Sequence, residues 1–140
     1  MAGDGSSVAD CYATGSLTGT KEVGGLIGEL AGGMVSRCHA TGAVTGGTNS
    51  NYQGGLVGYI SSGVLESCYA TGSVTGNRCV GGLVGCISDG HISSCYATGA
   101  ATGVETVGGL LGFLVGGAVS YGYATGTVQG TSFTGGLAAI

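Results

Sequence analysis

The 140-residue chain has no proline and no tryptophan, only two phenylalanines, and just 7% charged residues. Lacking proline and a Gly-X-Y triplet, its 34 glycines cannot build a collagen helix. A solvated, disordered polymer fits no better, because 43% of the residues are hydrophobic. Three basic residues against seven acidic ones give a net charge of −4, so the basic footprint of a nucleic-acid binder is missing. No apolar run reaches the ~18 residues that a membrane-spanning helix needs. The opening MAGDGSSVAD carries neither the basic nor the apolar segment of a secretion leader.

Residues that carry chemistry are equally scarce. His39 and His91 are the two histidines, and neither stands in a His-Glu-x-x-His pattern. The acidic residues Asp4, Asp10, Glu22, Glu29, Glu66, Asp89 and Glu105 are scattered. No carboxylate recurs at a fixed spacing, so a glycosidase pair or a regular calcium ladder lacks its ligands. The Gly-Gly-Leu-Val-Gly runs are followed by no Walker lysine, and no Gly-x-Ser-x-Gly elbow is present. No Cys-x2-Cys pair marks a zinc site. The expectation is a non-enzymatic chain with no cofactor and no metal.

What is present is repetition. The segment CYATGSVTGNRCVGGLVGCISDGHISS from Cys68 has counterparts from Cys11, Cys38, Cys95 and Gly122. Those starts are separated by 27, 30, 27 and 27 residues, and the Gly-Gly-Leu series shows one three-residue insertion as well. Both series place it within residues 46–53, where GGTNSNYQ stands. An insertion absorbed without loss of register is the behaviour of a loop in a stacked solenoid. The chain is too short for more than one domain, so residues 1–140 read as a single repeat domain.

Each unit reads as short strands bounded by glycine turns. A helix would need a 3.6-residue apolar period, which the glycines break. Four apolar rows recur at fixed places. Leu26, Leu56, Leu83, Leu110 and Leu137 form one, and Leu30, Ile60, Ile87 and Leu114 another. Val8, Val35, Leu65, Ile92 and Val119 form the third, and Leu17, Val44, Val74, Ala101 and Val128 the fourth. Val80 and Gly85 also read as inward. The predicted fold is all-β: a parallel β-solenoid (β-helix) of about five coils of 27–30 residues, with three strands per coil and right-handed winding as the default. A fifth row, Ile27, Val57, Val84 and Leu111, faces outward with Tyr59 and Phe113 as an apolar strip if strict alternation holds beside Leu83, and belongs to the core if the strand phase differs there.

The sequence CYATGSVTG, followed by VGGLVG and then by Gly-x-Ile-Ser-x-Cys, resembles the GLUG repeat of bacterial surface proteins. That repeat occurs in adhesins and in non-catalytic parts of IgA-cleaving metallopeptidases. The resemblance runs from about Val8 to Leu137. It implies a structural module in an extracellular or cell-surface setting, and it carries over no active site. His39 in place of Tyr, Gly122 in place of Cys, and Ala101 and Gln129 in the Val-Thr pair are local departures.

Two features remain as candidate sites. Tyr12, His39, Tyr69, Tyr96 and Tyr123 should form an outward ladder beside Thr14, Thr41, Thr71, Thr98 and Thr125. Stacked Tyr and Thr can simply stabilise neighbouring coils. They can also offer a flat face to carbohydrate, a host surface or ice. The cysteines divide into two kinds. Cys11, Cys38, Cys68 and Cys95 share one repeat position and read as small buried apolar residues, with parallel side chains poorly aimed for coil-to-coil disulfides. Cys79 and Cys86 occur in one repeat only and are candidates for a local disulfide. Finally, Ala2 and Ile140 both fall at the repeat position of Cys86. The expected partners are therefore neighbouring repeats of a longer chain or further copies stacked head to tail, with no nucleic acid and no membrane span.

Overall fold

The computed structural model describes residues 2–3 and 5–139. Every regular element among them is a strand, and every strand pairing is parallel. Five coils stack so that each repeat position lies over its equivalent. Tyr69 pairs with His39 on one side and Tyr96 on the other, and Val74 pairs with Val44 and Ala101. The chain is a parallel β-solenoid.

A coil has four walls rather than the three strands expected. In the coil around Cys68–Ser94 they appear in chain order. Tyr69–Ala70 belongs to a Tyr sheet, Val74–Thr75 to a Val sheet, and Cys79–Gly81 to a Gly sheet, each of five strands. Val84–Ile87 and His91–Ser93 then run along a broad fourth sheet of nine strands. In two coils these last segments merge into single strands, Ile27–Ser36 and Val57–Glu66. The extra corner comes from the short Tyr and Val segments. Each is only two or three residues long, so the chain turns between them.

All four predicted rows form the core in the central coils, while end members are less covered and Leu17 and Leu137 are exposed. Leu56, Leu83, Leu110, Leu30, Ile60, Ile87, Val35, Leu65 and Ile92 are buried in one cluster, and Val44, Val74 and Ala101 in a second with Val80 and Val107. The fifth row takes the core reading rather than the outward one. Val57, Val84 and Leu111 are buried in the main cluster and Ile27 joins them, so no outward apolar strip exists there. The hydrogen bonds explain why. Leu83 N and Val84 N both donate to Leu110 O, at 2.9 and 3.1 Å, and Leu56 N and Val57 N both donate to Leu83 O. Two successive amides reaching one carbonyl bend the chain, and two successive side chains then turn inward. The Gly-Gly pair makes this corner possible. A Cβ on Gly81 would fall on the Val84 carbonyl oxygen, and one on Gly82 would meet the Gly109 carbonyl of the adjacent coil.

A second corner recurs just before each Cys or Gly of the repeat. Asp10, Arg37, Ser67, Ser94 and Tyr121 all have φ between 51° and 56°, a left-handed conformation rare for such residues. The amides of the first four donate to the adjacent coil, Ser67 N to Ser93 O at 3.0 Å among them. The thiol that follows closes the turn from inside. Cys11, Cys38, Cys68 and Cys95 each donate to the carbonyl two residues back, at 3.1–3.3 Å. In two of them the sulfur also accepts the Cys amide of the preceding coil at 3.4 Å. Cys38, Cys68 and Cys95 are thus polar caps as well as small core residues, whereas Cys11, in the first coil, caps its turn but is exposed rather than buried as expected. At Gly122 a Cβ would crowd Leu110 Cδ2.

The insertion folds into a turn bound to the coil that follows. Ser50 is buried, its hydroxyl accepts Asn77 N at 2.9 Å, and its carbonyl accepts Arg78 N at 3.3 Å. Gln53 takes the place that Val80 and Val107 hold in their coils. Its Nε2 donates to Lys21 O at 2.9 Å, while its buried Oε1 finds no partner among the described residues. Near the start of the chain, Ala2 pairs with Leu30, one residue beyond the Glu29 that the period designates. Ile140 lies outside the described residues.

Candidate functional site

The Tyr and Thr columns stand where alternation puts them. In Tyr-Ala-Thr the alanine points inward and is buried in the three central coils, which turns its neighbours outward. The five rings stack in one line. Centroid separations between successive rings, Tyr12–His39, His39–Tyr69, Tyr69–Tyr96 and Tyr96–Tyr123, are 5.3, 4.7, 4.9 and 5.0 Å, with planes within 6° of parallel. The spacing follows from the separation of strands, so the imidazole of His39 fits the ladder as well as a phenol does. Burial against neighbouring rings pushes the Tyr96 phenol above its ordinary pKa, with smaller contributions from Tyr69 and Tyr123. Thr14, Thr41, Thr71, Thr98 and Thr125 are all exposed beside the rings. Together they form a hydroxyl-rich face one aromatic column wide.

A different surface is built from residues that the repeat does not share. Positions 79 and 86 lie on opposite sides of the Gly-Gly corner, the first on the Gly sheet and the second on the broad sheet. Their columns run side by side along the solenoid. The first reads Glu22, Tyr52, Cys79, Thr106 and Phe133, and the second Glu29, Tyr59, Cys86 and Phe113. Facing members touch across the corner, since the rings of Tyr52 and Tyr59 stack at 5.0 Å. A cleft of about 370 Å³ opens here, lined by Tyr52, Tyr59, Cys79, Cys86, Thr106 and Phe113 with Arg78, Glu105 and Ser88 at its margins. The Tyr59 hydroxyl and Ser88 Oγ are 2.5 Å apart, and Arg78 pairs with Glu105 at 3.2 Å. Of this cleft, only the two cysteines were singled out from the sequence as a candidate site. The signal for the rest is that its residues change from coil to coil while their neighbours stay fixed.

Cys79 and Cys86 are brought together, and both are free thiols. The neighbouring Cys86 thiol holds the Cys79 pKa below the ordinary thiol range, with help from the Thr106 hydroxyl and the Arg78 charge, while burial opposes the shift. Thr106 Oγ1 lies 3.2 Å from that sulfur. Cys86 is shifted upward, because it keeps the shared proton and is then desolvated. Burial raises the Tyr52 phenol as well, and the two nearby sulfurs add to the effect. The four column thiols are also free, and burial pushes that of Cys38 upward. Among the described residues no group of three or more His, Cys, Asp or Glu side chains is placed to hold a metal ion. No helix there is long and apolar enough to cross a membrane.

Fold and surface together define a repeat module of the parallel β-solenoid class. The GLUG motif matches the chain three times, over residues 19–45, 49–75 and 76–102, and the chain belongs to that family. The gap between the first two matches falls within the inserted turn. No curated protein and no solved structure matches the chain.

Proposed function

We propose that the chain is a non-enzymatic structural module of a bacterial surface protein or adhesin, one that acts by continuing its coils end to end. The carrying observation is that the stacking rows run out to both terminal coils with their outer members exposed. Tyr12 is 67% exposed in the first coil, and Phe133 is 64% exposed in the last. Leu17 and Leu137, whose row-mates in the central coils are buried, are exposed too. Another coil of the same kind, from a longer chain or from a second copy, would cover these residues and pair the open strand edges. The surface setting rests on the family. Concentration-dependent light scattering with negative-stain microscopy tests the reading. Growth into unbranched filaments is expected, and a particle that stays monomeric at every concentration overturns self-assembly.

The ring ladder favours a second reading, a ligand-binding face for carbohydrate, a host surface or ice. Five parallel rings with exposed Thr hydroxyls beside them offer stacking and hydrogen bonding at a regular spacing. Glycan-array and ice-recrystallisation assays test it. Tyr69→Ala or Thr71→Leu should weaken binding several-fold, and unchanged binding in both variants removes the reading.

A further inference from the structure

The cleft at the Gly-Gly corner holds the one pair of private thiols in a solenoid whose remaining cysteines cap turns. We infer that Cys79 and Cys86 form a reactive dithiol that exchanges with small-molecule disulfides entering this cleft and closes into an intracoil disulfide. The inference is independent of how the coils assemble.

Geometry carries it. The two residues occupy facing columns, and the stacked pair Tyr52 and Tyr59 shows that these columns come into contact. Both sulfurs line a cleft of about 370 Å³, enough to admit a short-chain disulfide. Cys79 is half-buried, whereas Cys38, Cys68 and Cys95 are fully buried within the core. The groups facing the pair are Arg78, Glu105, Tyr52, Tyr59 and Thr106. The neighbouring Cys86 thiol, then the Thr106 hydroxyl and Arg78, favour a thiolate at Cys79, while burial and Glu105 oppose it. Cys79 is thereby the attacking thiol and Cys86 the resolving one.

The exchange proceeds in two displacements. The Cys79 thiolate attacks one sulfur of the entering disulfide, whose S–S bond breaks. One thiol leaves, taking up the proton that Cys79 gave up, and a mixed disulfide remains on Cys79. Cys86 then loses its proton and attacks the Cys79 sulfur, expelling the second thiol. Two protein thiols are oxidised to one disulfide, and the entering disulfide is reduced to two thiols by the same two electrons and two protons.

The test uses the full chain carrying Cys11→Ala, which removes the exposed column thiol, with 2-hydroxyethyl disulfide as probe. Intact mass and peptide mapping should show the loss of two hydrogens and a Cys79–Cys86 link, with no lasting adduct. In a Cys86→Ser variant a single probe adduct should persist on Cys79. In a Cys79→Ser variant, modification at Cys86 should be slower by about tenfold or more at neutral pH. The Cys79 rate should level off at a lower pH than that of an ordinary thiol. An adduct that persists on Cys79 with Cys86 intact overturns the inference, as do equal rates in the two serine variants. Should either variant fail to fold, the map of the Cys11→Ala chain decides: a link between any other cysteines contradicts the assignment.

Discussion

At the scale of the residue, the chain repeatedly places residues in costly backbone conformations and compensates them locally. The left-handed corner residues illustrate this. Ser67, at φ 56°, is held by its amide bond to Ser93 O and by the Cys68 thiol bridging back to Glu66 O at 3.3 Å. Its own side chain is exposed. Glycine relieves roughly 1–2 kcal/mol of left-handed strain and costs about 0.5–1 kcal/mol in unfolded-state entropy. Ser67→Gly should therefore raise stability by roughly 0.5–1 kcal/mol, read as a higher urea midpoint. A lowered midpoint would mean that the Ser67 side chain contributes something its exposure does not reveal. Surface charges work on a smaller scale. The bidentate Arg37–Asp10 contact, at 2.7 and 2.9 Å, links two coils and lowers the Asp10 pKa through its hydrogen bonds. Its contribution is present above the ordinary carboxylate range and fades as pH falls through the lowered value. Both side chains are largely exposed, so it stays small.

At the scale of the element, the ladder and the corner separate what the sequence reveals from what it conceals. A ring within the ladder touches two neighbours, and a terminal ring touches one. Each contact is worth about 0.5–1.5 kcal/mol. Tyr69→Ala, which removes contacts to His39 and Tyr96, should accordingly cost about twice as much as Tyr12→Ala in chemical denaturation. Equal costs would mean that the rings do not stabilise the coils by stacking. The ladder was legible because Tyr-Ala-Thr alternates cleanly and recurs at one period. The Gly-Gly-Leu-Val corner was not. Alternation would place Leu83 and Val84 on opposite faces, yet both reach the core because their amides share the Leu110 carbonyl. The left-handed corner gave no signal either, since Asp10, Arg37, Ser67, Ser94 and Tyr121 include neither Gly nor Asn. Cys79 and Cys86 stood out as private residues, but their cleft emerges only when the facing columns are set side by side.

At the scale of the whole molecule, fixed and variable positions divide the work. Fixed rows supply two apolar clusters, the Gly-Gly corner and the thiol-capped turn, and each coil thereby stacks on the next. Variable positions collect in the columns beside Cys79 and Cys86, where chemistry can change without disturbing the stack. The proposed end-to-end continuation rests on the repetition of the fixed rows. The most direct measurement is electron cryomicroscopy of whatever assembly the chain forms at high concentration. A coil rise of about 4.8 Å is predicted to continue unbroken across each junction between copies, with Tyr123 of one copy stacking on Tyr12 of the next. Junctions made through the sides of the solenoid, or a chain that remains solitary, would contradict it.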